Sequence, residues 1–177
     1  MTTTTSKWEA LQKRLDAVKR PTRTFRLCED SELRARYLEA KEECQRLTAY
    51  RDNFLADTDP EARSLVEKNA TEAQAAADEL KKVYDRKTIV LTFQALERQD
   101  LEKLQAAHPA TEEDESAGRE WHMETFAPAV ISAASLDGMP VEAAAKYLAT
   151  WSSGDAHDLW QAAWSVQLHK RTDLGKG

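Results

Sequence analysis

Two kinds of hydrophobic pattern alternate along the chain. Over residues 7–19, Trp8, Leu11, Leu15 and Val18 recur in steps of three and four, the spacing of one helical face. Ser6 precedes them as an N-cap with Glu9 three residues on, a capping box, and Pro21 ends the segment. Residues 22–28, Thr-Arg-Thr-Phe-Arg-Leu-Cys, are rich in β-branched and aromatic types and read as a strand. Over residues 31–56 the helical period returns. Leu33, Tyr37, Ala40, Cys44, Leu47 and Phe54 fall on heptad spacing, with Arg51 as the polar interruption. Asp57-Thr58-Asp59-Pro60 breaks this helix and starts the next, with Asp59 as cap and Pro60 in the first turn. Val66, Ala70, Ala73, Ala77, Leu80 and Tyr84 form the second seam.

Two consecutive helices with facing seams and a short break predict an antiparallel hairpin. Each arm would be on the order of 35–40 Å long at 1.5 Å per residue. Residues 86–93, Arg-Lys-Thr-Ile-Val-Leu-Thr-Phe, give the clearest strand signal, placed to pair antiparallel with residues 22–28. A two-stranded ribbon is marginal alone and needs a cover. The C-terminal part is expected to supply it. Residues 97–107 read as an amphipathic helix through Leu101, Leu104 and Ala107, ended by His108-Pro109. Residues 111–118, with Glu112-Glu113-Asp114-Glu115, read as a mobile acidic loop. Pro128 is expected to open a helix running to about Leu136, with Val130, Ile131 and Ala134 inward, followed by a turn at 137–140. Residues 141–150 read as a helix carrying Val141, Ala144, Tyr147 and Leu148. A last helix follows Gly154 and Asp155 and runs to about Lys170, with Leu159, Trp160, Ala163, Trp164 and Val166.

The fold class expected is therefore mainly α: a long antiparallel helical hairpin inserted between two short antiparallel β-strands, plus a C-terminal helical core. The organisation divides as 1–30 (basic N-terminal helix and first strand), 31–85 (helical hairpin) and 86–177 (second strand and C-terminal helical domain). Four of the five tryptophans lie at or beyond Trp121, so the densest core is expected there.

Composition narrows the chemistry. The 177 residues carry a net charge of −6, with 41% hydrophobic and 32% charged residues. That is enough apolar material for a modest core, and it argues against a general nucleic-acid binder. No apolar run approaches the roughly 20 residues of a membrane span, and the polar opening Met1–Thr5 does not read as a secretion signal. Cys28 and Cys44 make neither a disulfide framework nor a CxxC pair, which fits a reducing cytoplasm. Glycines number five, and the first is Gly118, so phosphate-binding glycine loops are excluded from the first 117 residues. His108, His122, His157 and His169 show no metal-ligand spacing, and no nucleophile or paired-carboxylate motif is present. No catalytic residue, metal or cofactor is expected. Asn69-Ala70-Thr71 matches the glycosylation sequon but lies within a helical pattern and reads as chance.

Charge is unevenly placed. Residues 1–28 carry seven bases and two acids, and residues 108–125 one base and six acids. The basic start reads either as a solvated arm or as a segment that docks on acidic groups. Trp160 and Trp164, four apart, read either as packing for the final helix or as part of an aromatic groove for a partner helix. The candidate partner-binding residues are Trp121, Phe126, Trp151, Trp160 and Trp164.

From Thr88 onward the chain resembles the tail assembly chaperones of long-tailed phages of actinobacteria. The residues carrying the resemblance are Phe93 and Leu96; Leu101 and Leu104; His108-Pro109; the acidic stretch 111–118; Phe126-Ala127-Pro128-Ala129-Val130-Ile131; and Leu159-Trp160-Gln161-Ala162-Ala163. Together they span about half the chain. It departs from the family pattern where Ala110 follows Pro109 and where Val166-Gln167 follows the last aromatic pair. The resemblance implies a non-catalytic protein that binds the phage tape-measure protein and keeps it soluble until the tail tube polymerises. It implies the tail tube protein and self-association as further contacts. It places the protein in the cytoplasm of the infected host cell and outside the mature virion. It also implies a longer product made by ribosomal frameshifting, for which the codons of Gly175 and Lys176 could supply repeated bases. The alternative function is a virion structural or head–tail connector protein, in which the helical hairpin makes a fixed subunit interface.

Overall fold

The structure, a computed structural model, describes residues 6–54, 59–170 and 172. The expected break at Asp57-Thr58, the side chain of Phe54, the opening Met1–Thr5 and the frameshift tail from Asp173 lie outside the described residues. The protein is mainly helical, with one small antiparallel sheet. In chain order the elements are α1 (Lys7–Asp16), β1 (Thr22–Cys28), α2 (Ser31–Phe54), α3 (Pro60–Arg86), β2 (Thr88–Gln94), α4 (Arg98–Ala107), α5 (Glu112–Ser116), α6 (Met123–Ala134), α7 (Val141–Thr150) and α8 (Ser153–Ser165).

β1 and β2 pair as a two-stranded sheet. Antiparallel register is set at both ends: Ala95 N–H donates to the Pro21 carbonyl at 2.9 Å, and Glu29 N–H donates to the Lys87 carbonyl at 2.9 Å. The chain divides into two compact units, residues 1–25 with 91–177, and residues 26–90. The division thus runs through the middle of both strands.

In the unit of residues 26–90, α2 and α3 pack on one another. Tyr37 stacks on Tyr84 with ring centroids 4.6 Å apart, and the Cys44 thiol donates to Gln74 Oε1 at 3.2 Å. Leu33, Cys44, Ala70 and Ala77, all at expected seam positions, are buried. Asp30 Oδ1 accepts from Leu33 N–H and so caps α2. Asp85 takes ion pairs from Arg26, at 2.8 Å, and from Lys81; all three side chains are exposed, so the pairs add little stability.

The other unit is organised by α6. Phe126 through Ile131 are buried in unbroken succession, as is Ala134, so this stretch of the helix is apolar on every side. α4, α7 and α8 pack against it, contributing buried Ala144, Leu159, Ala162 and Ala163. Pro128 does not open α6, as the sequence suggested, but lies inside it. A proline there removes the amide that would bond the carbonyl four residues back. That carbonyl belongs to exposed Glu124, where water can take the bond. After α6, Ser135 bridges to Phe93, Leu136 N–H donates to the Thr92 carbonyl at 2.8 Å, and Asp137 Oδ2 accepts from Thr92 N–H at 2.6 Å. This ties the end of α6 to β2, and Gly138 (φ 74°) then reverses the chain in a backbone region that suits glycine. α8 ends at Ser165, short of the expected Lys170, in tight i to i+3 turns: Gln167 N–H donates to the Trp164 carbonyl and Leu168 N–H to that of Ser165.

Two further elements differ from expectation. α1 stops at Asp16; its Trp8, Leu11 and Leu15 are exposed, as is Val18 beyond its end. The acidic stretch taken as a mobile loop contains the short helix α5, with Asp114 buried.

The buried apolar residues of α2 and α3 are mostly small, whereas α6 and α8 bury Phe126, Val130, Ile131 and Leu159 completely. Stabilisation follows the apolar area removed from water, about 25 cal/mol per Å². Amide hydrogen exchange is therefore expected to be faster across residues 31–84 than across residues 128–168. Equal or slower exchange in 31–84 would remove the case for a less stable unit.

Candidate functional site

Four of the five aromatic residues singled out from the sequence meet in one cluster. Phe126, fully buried, is its centre. Trp121 stacks on it at 4.9 Å, while Trp160 and Trp164 approach it edge-on at 6.1 and 5.8 Å. Trp160 and Trp164 stack on each other at 5.3 Å, as one turn of helix requires of residues four apart. Trp121 meets Trp164 edge-on at 5.5 Å. Offset-stacked and edge-to-face pairs match the positive rim of one ring to the negative face of another, worth about 0.5–1.5 kcal/mol per pair beyond area burial. The three tryptophans are half-buried, so the cluster joins the core to the surface. Trp151 is not part of it; it stacks instead on Tyr147 at 4.7 Å and on Phe25 at 5.9 Å.

The remaining residues of the family-like pattern gather around the same core. Phe93 is fully buried. Leu96 N–H donates to Gln167 Oε1 at 2.8 Å, and Gln167 Nε2 donates to the Ala163 carbonyl, so β2's exit is fixed to α8. Pro109 and Trp121 form an antiparallel bridge, and His122 N–H donates to the His108 carbonyl at 3.2 Å. The His108 ring lies 6.2 Å from Phe126. Its Nδ1 is 2.9 Å from Thr125 Oγ1, which also lies 3.2 Å from the His122 carbonyl. Pro128 is buried within α6.

A group the sequence reading passed over closes this assembly. Asp114 is 4% exposed, and its carboxylate gathers four donors. Oδ2 accepts from Thr111 N–H at 3.1 Å, from Thr111 Oγ1 at 2.8 Å and from His122 Nδ1 at 2.8 Å, and Oδ1 accepts from Arg119 Nε at 2.8 Å. Arg119 N–H also donates to the Asp114 carbonyl. Donors facing an ionised carboxylate favour the charged form. Thr111 N–H foremost, with His122, the Thr111 hydroxyl and Arg119, holds Asp114 far below the usual carboxylate range. The legible signal was Thr111-x-x-Asp114, a capping box, standing inside an acidic run. The knot fastens the segment between His108 and His122, and so the position of Trp121.

Among the described residues, no three His, Cys, Asp or Glu side chains converge as a metal set, and no helix is long and apolar enough to cross a membrane. Compared with protein-family models, curated proteins and solved structures, the chain finds no match.

Two outcomes are expected from this geometry. Phe126→Ala removes a completely enclosed ring and should cost about 3–5 kcal/mol, read as a lower midpoint in denaturant unfolding. Asp114→Asn should lower the melting temperature at pH 7. The folded-state pKa of Asp114 lies below its unfolded value, so its contribution is complete above the unfolded value of about 3.9 and is lost as pH falls further. The gap in melting temperature between wild type and Asp114→Asn should therefore narrow below about pH 4; a constant gap would mean the lost interaction is not that of the charged carboxylate.

Proposed function

We propose that the protein is a non-catalytic tail assembly chaperone that binds a phage tape-measure protein and keeps it soluble until the tail tube polymerises. The observation that carries this reading is the meeting of the family-like residues in one place. Phe93, Leu96, His108, Pro109, Phe126, Pro128 and Trp160 are scattered over nearly seventy positions, yet all build or border the core around α6. A tape-measure chain is long and largely helical, with apolar stripes that aggregate until they are covered. The half-buried indoles of Trp121, Trp160 and Trp164 offer flat apolar surface suited to such a helix. In this reading α2 and α3 form an antiparallel hairpin inserted between the two strands. Many copies, each binding weakly along one ligand, would together hold it by avidity. The protein would act in the cytoplasm of the infected host and leave before the virion is complete. Contacts with tail tube protein and between copies would accompany that exchange.

Co-expression with the tape-measure product tests the reading. The tape-measure chain is expected to shift from the insoluble to the soluble fraction and to co-purify with this protein, while purified particles lack it. Retention as a stoichiometric part of the particle would replace the chaperone by the connector reading. Failure to solubilise or co-purify would remove the chaperone reading. A Trp160→Ala variant that melts like the wild type but no longer co-purifies would locate the contact at the aromatic cluster; one that unfolds would assign Trp160 to packing.

A further inference from the structure

Among the described residues, none buries the apolar face of α1. None of its residues is buried: Trp8, Leu11 and Leu15 are 61%, 40% and 60% exposed, and Val18, just past its end, is 52% exposed. Yet its start is built with care: Glu9 N–H donates to Ser6 Oγ at 3.1 Å, and Ser6 N–H donates to Glu9 Oε2 at 2.8 Å. A ten-residue helix is marginal in water, because most helical stability in proteins comes from packing an amphipathic face. Capping lowers the cost of keeping the helix formed while that face stays open.

The form of the face narrows its occupant. Within the helix, Trp8, Leu11 and Leu15 follow in steps of three and four, a narrow a/d seam that one partner helix fills, rather than the broad stripe, about 100° or wider, of a globular or membrane-lying helix. Lys7 and Arg14 each immediately precede a seam residue and border it on one side. Residues 6–20 hold five bases and two acids, one of which, Glu9, is engaged in the cap. Two copies of α1 laid together would bring like charges into contact, which opposes self-pairing. The chain's own acidic stretch, Glu112 to Glu115, offers carboxylates but no large apolar side chain to fill the seam.

We propose that α1 is a docking helix for a second protein, and that the segment it receives is an amphipathic helix whose apolar seam is bordered by aspartate or glutamate. Apolar contact supplies affinity, and the basic border supplies orientation and selects against basic partners. This surface is separate from the aromatic cluster and stands whether or not the chaperone reading does.

The probe is a synthetic, fluorescently labelled heptad-repeat peptide with leucine at the seam and glutamate on both borders. It is compared with the same peptide carrying lysine on the borders and with vesicles of anionic phosphatidylglycerol. The full-length protein is expected to bind the glutamate peptide at least about tenfold more tightly than the lysine peptide, with affinity falling as salt rises. Trp8→Ala/Leu11→Ala/Leu15→Ala should lose at least about tenfold in affinity without a change in melting temperature, since those side chains are exposed. Lys7→Glu/Arg14→Glu should reverse the preference toward the lysine peptide. Equal binding of the two peptides, no binding of the glutamate peptide, or unaltered binding by the triple variant would overturn the proposal. So would vesicle binding in place of peptide binding, which would make α1 a membrane anchor, or self-association abolished by the triple variant, which would make a second copy its occupant.

Discussion

A stretch of helix that is apolar on every side has to be enclosed on every side. That constraint, imposed by Phe126 to Ile131, governs the larger unit. α4, α7 and α8 are the walls, and the chain after α6 returns to β2 through Ser135, Leu136 and Asp137. The proline of α6 costs only the bond to the Glu124 carbonyl, at the exposed end of the helix. Its first buried residue is also the centre of the aromatic cluster. The surface offered by the tryptophans is thus an outgrowth of the core, and its shape is held by the same packing that keeps the unit folded.

How much of this was legible follows from how many residues carry each signal. The seams of α2 and α3 repeat over several heptads, so no single substitution obscures them, and Leu33, Cys44, Ala70 and Ala77 are buried where the period places them. β1 and β2 were legible from runs of β-branched residues. Pro128 misled because proline's local preference is for a first turn, whereas here tertiary enclosure of its neighbours outweighs one missing hydrogen bond. Asp114 was hidden by company. In a run of four acids only the capping-box spacing from Thr111 marks the one that turns inward, and Arg119 and His122, farther along the chain, complete its surroundings.

Of the five aromatic candidates, the four that meet lie on α6, α8 and the segment bridging to Pro109. Their convergence depends on how those elements pack, which spacing along the chain cannot express. Trp151 separates from them because it caps α7 and stacks on Tyr147 and Phe25 instead. Likewise the pattern in α1 showed a helical face but not its exposure, since exposure is a property of what the rest of the chain declines to cover.

The sheet has an evolutionary consequence. The chain leaves β1 and re-enters β2 at neighbouring points, with Glu29 bonded directly to Lys87. Everything between them can therefore grow or shrink without moving either strand, provided that α2 and α3 keep their packing on one another. Insertions and deletions there would be filtered only for their pairing with each other, while the residues around α6 remain bound to one geometry. Lineages descended from this sequence should accordingly diverge fastest in length between residues 31 and 86 and slowest in length between Phe93 and Val166.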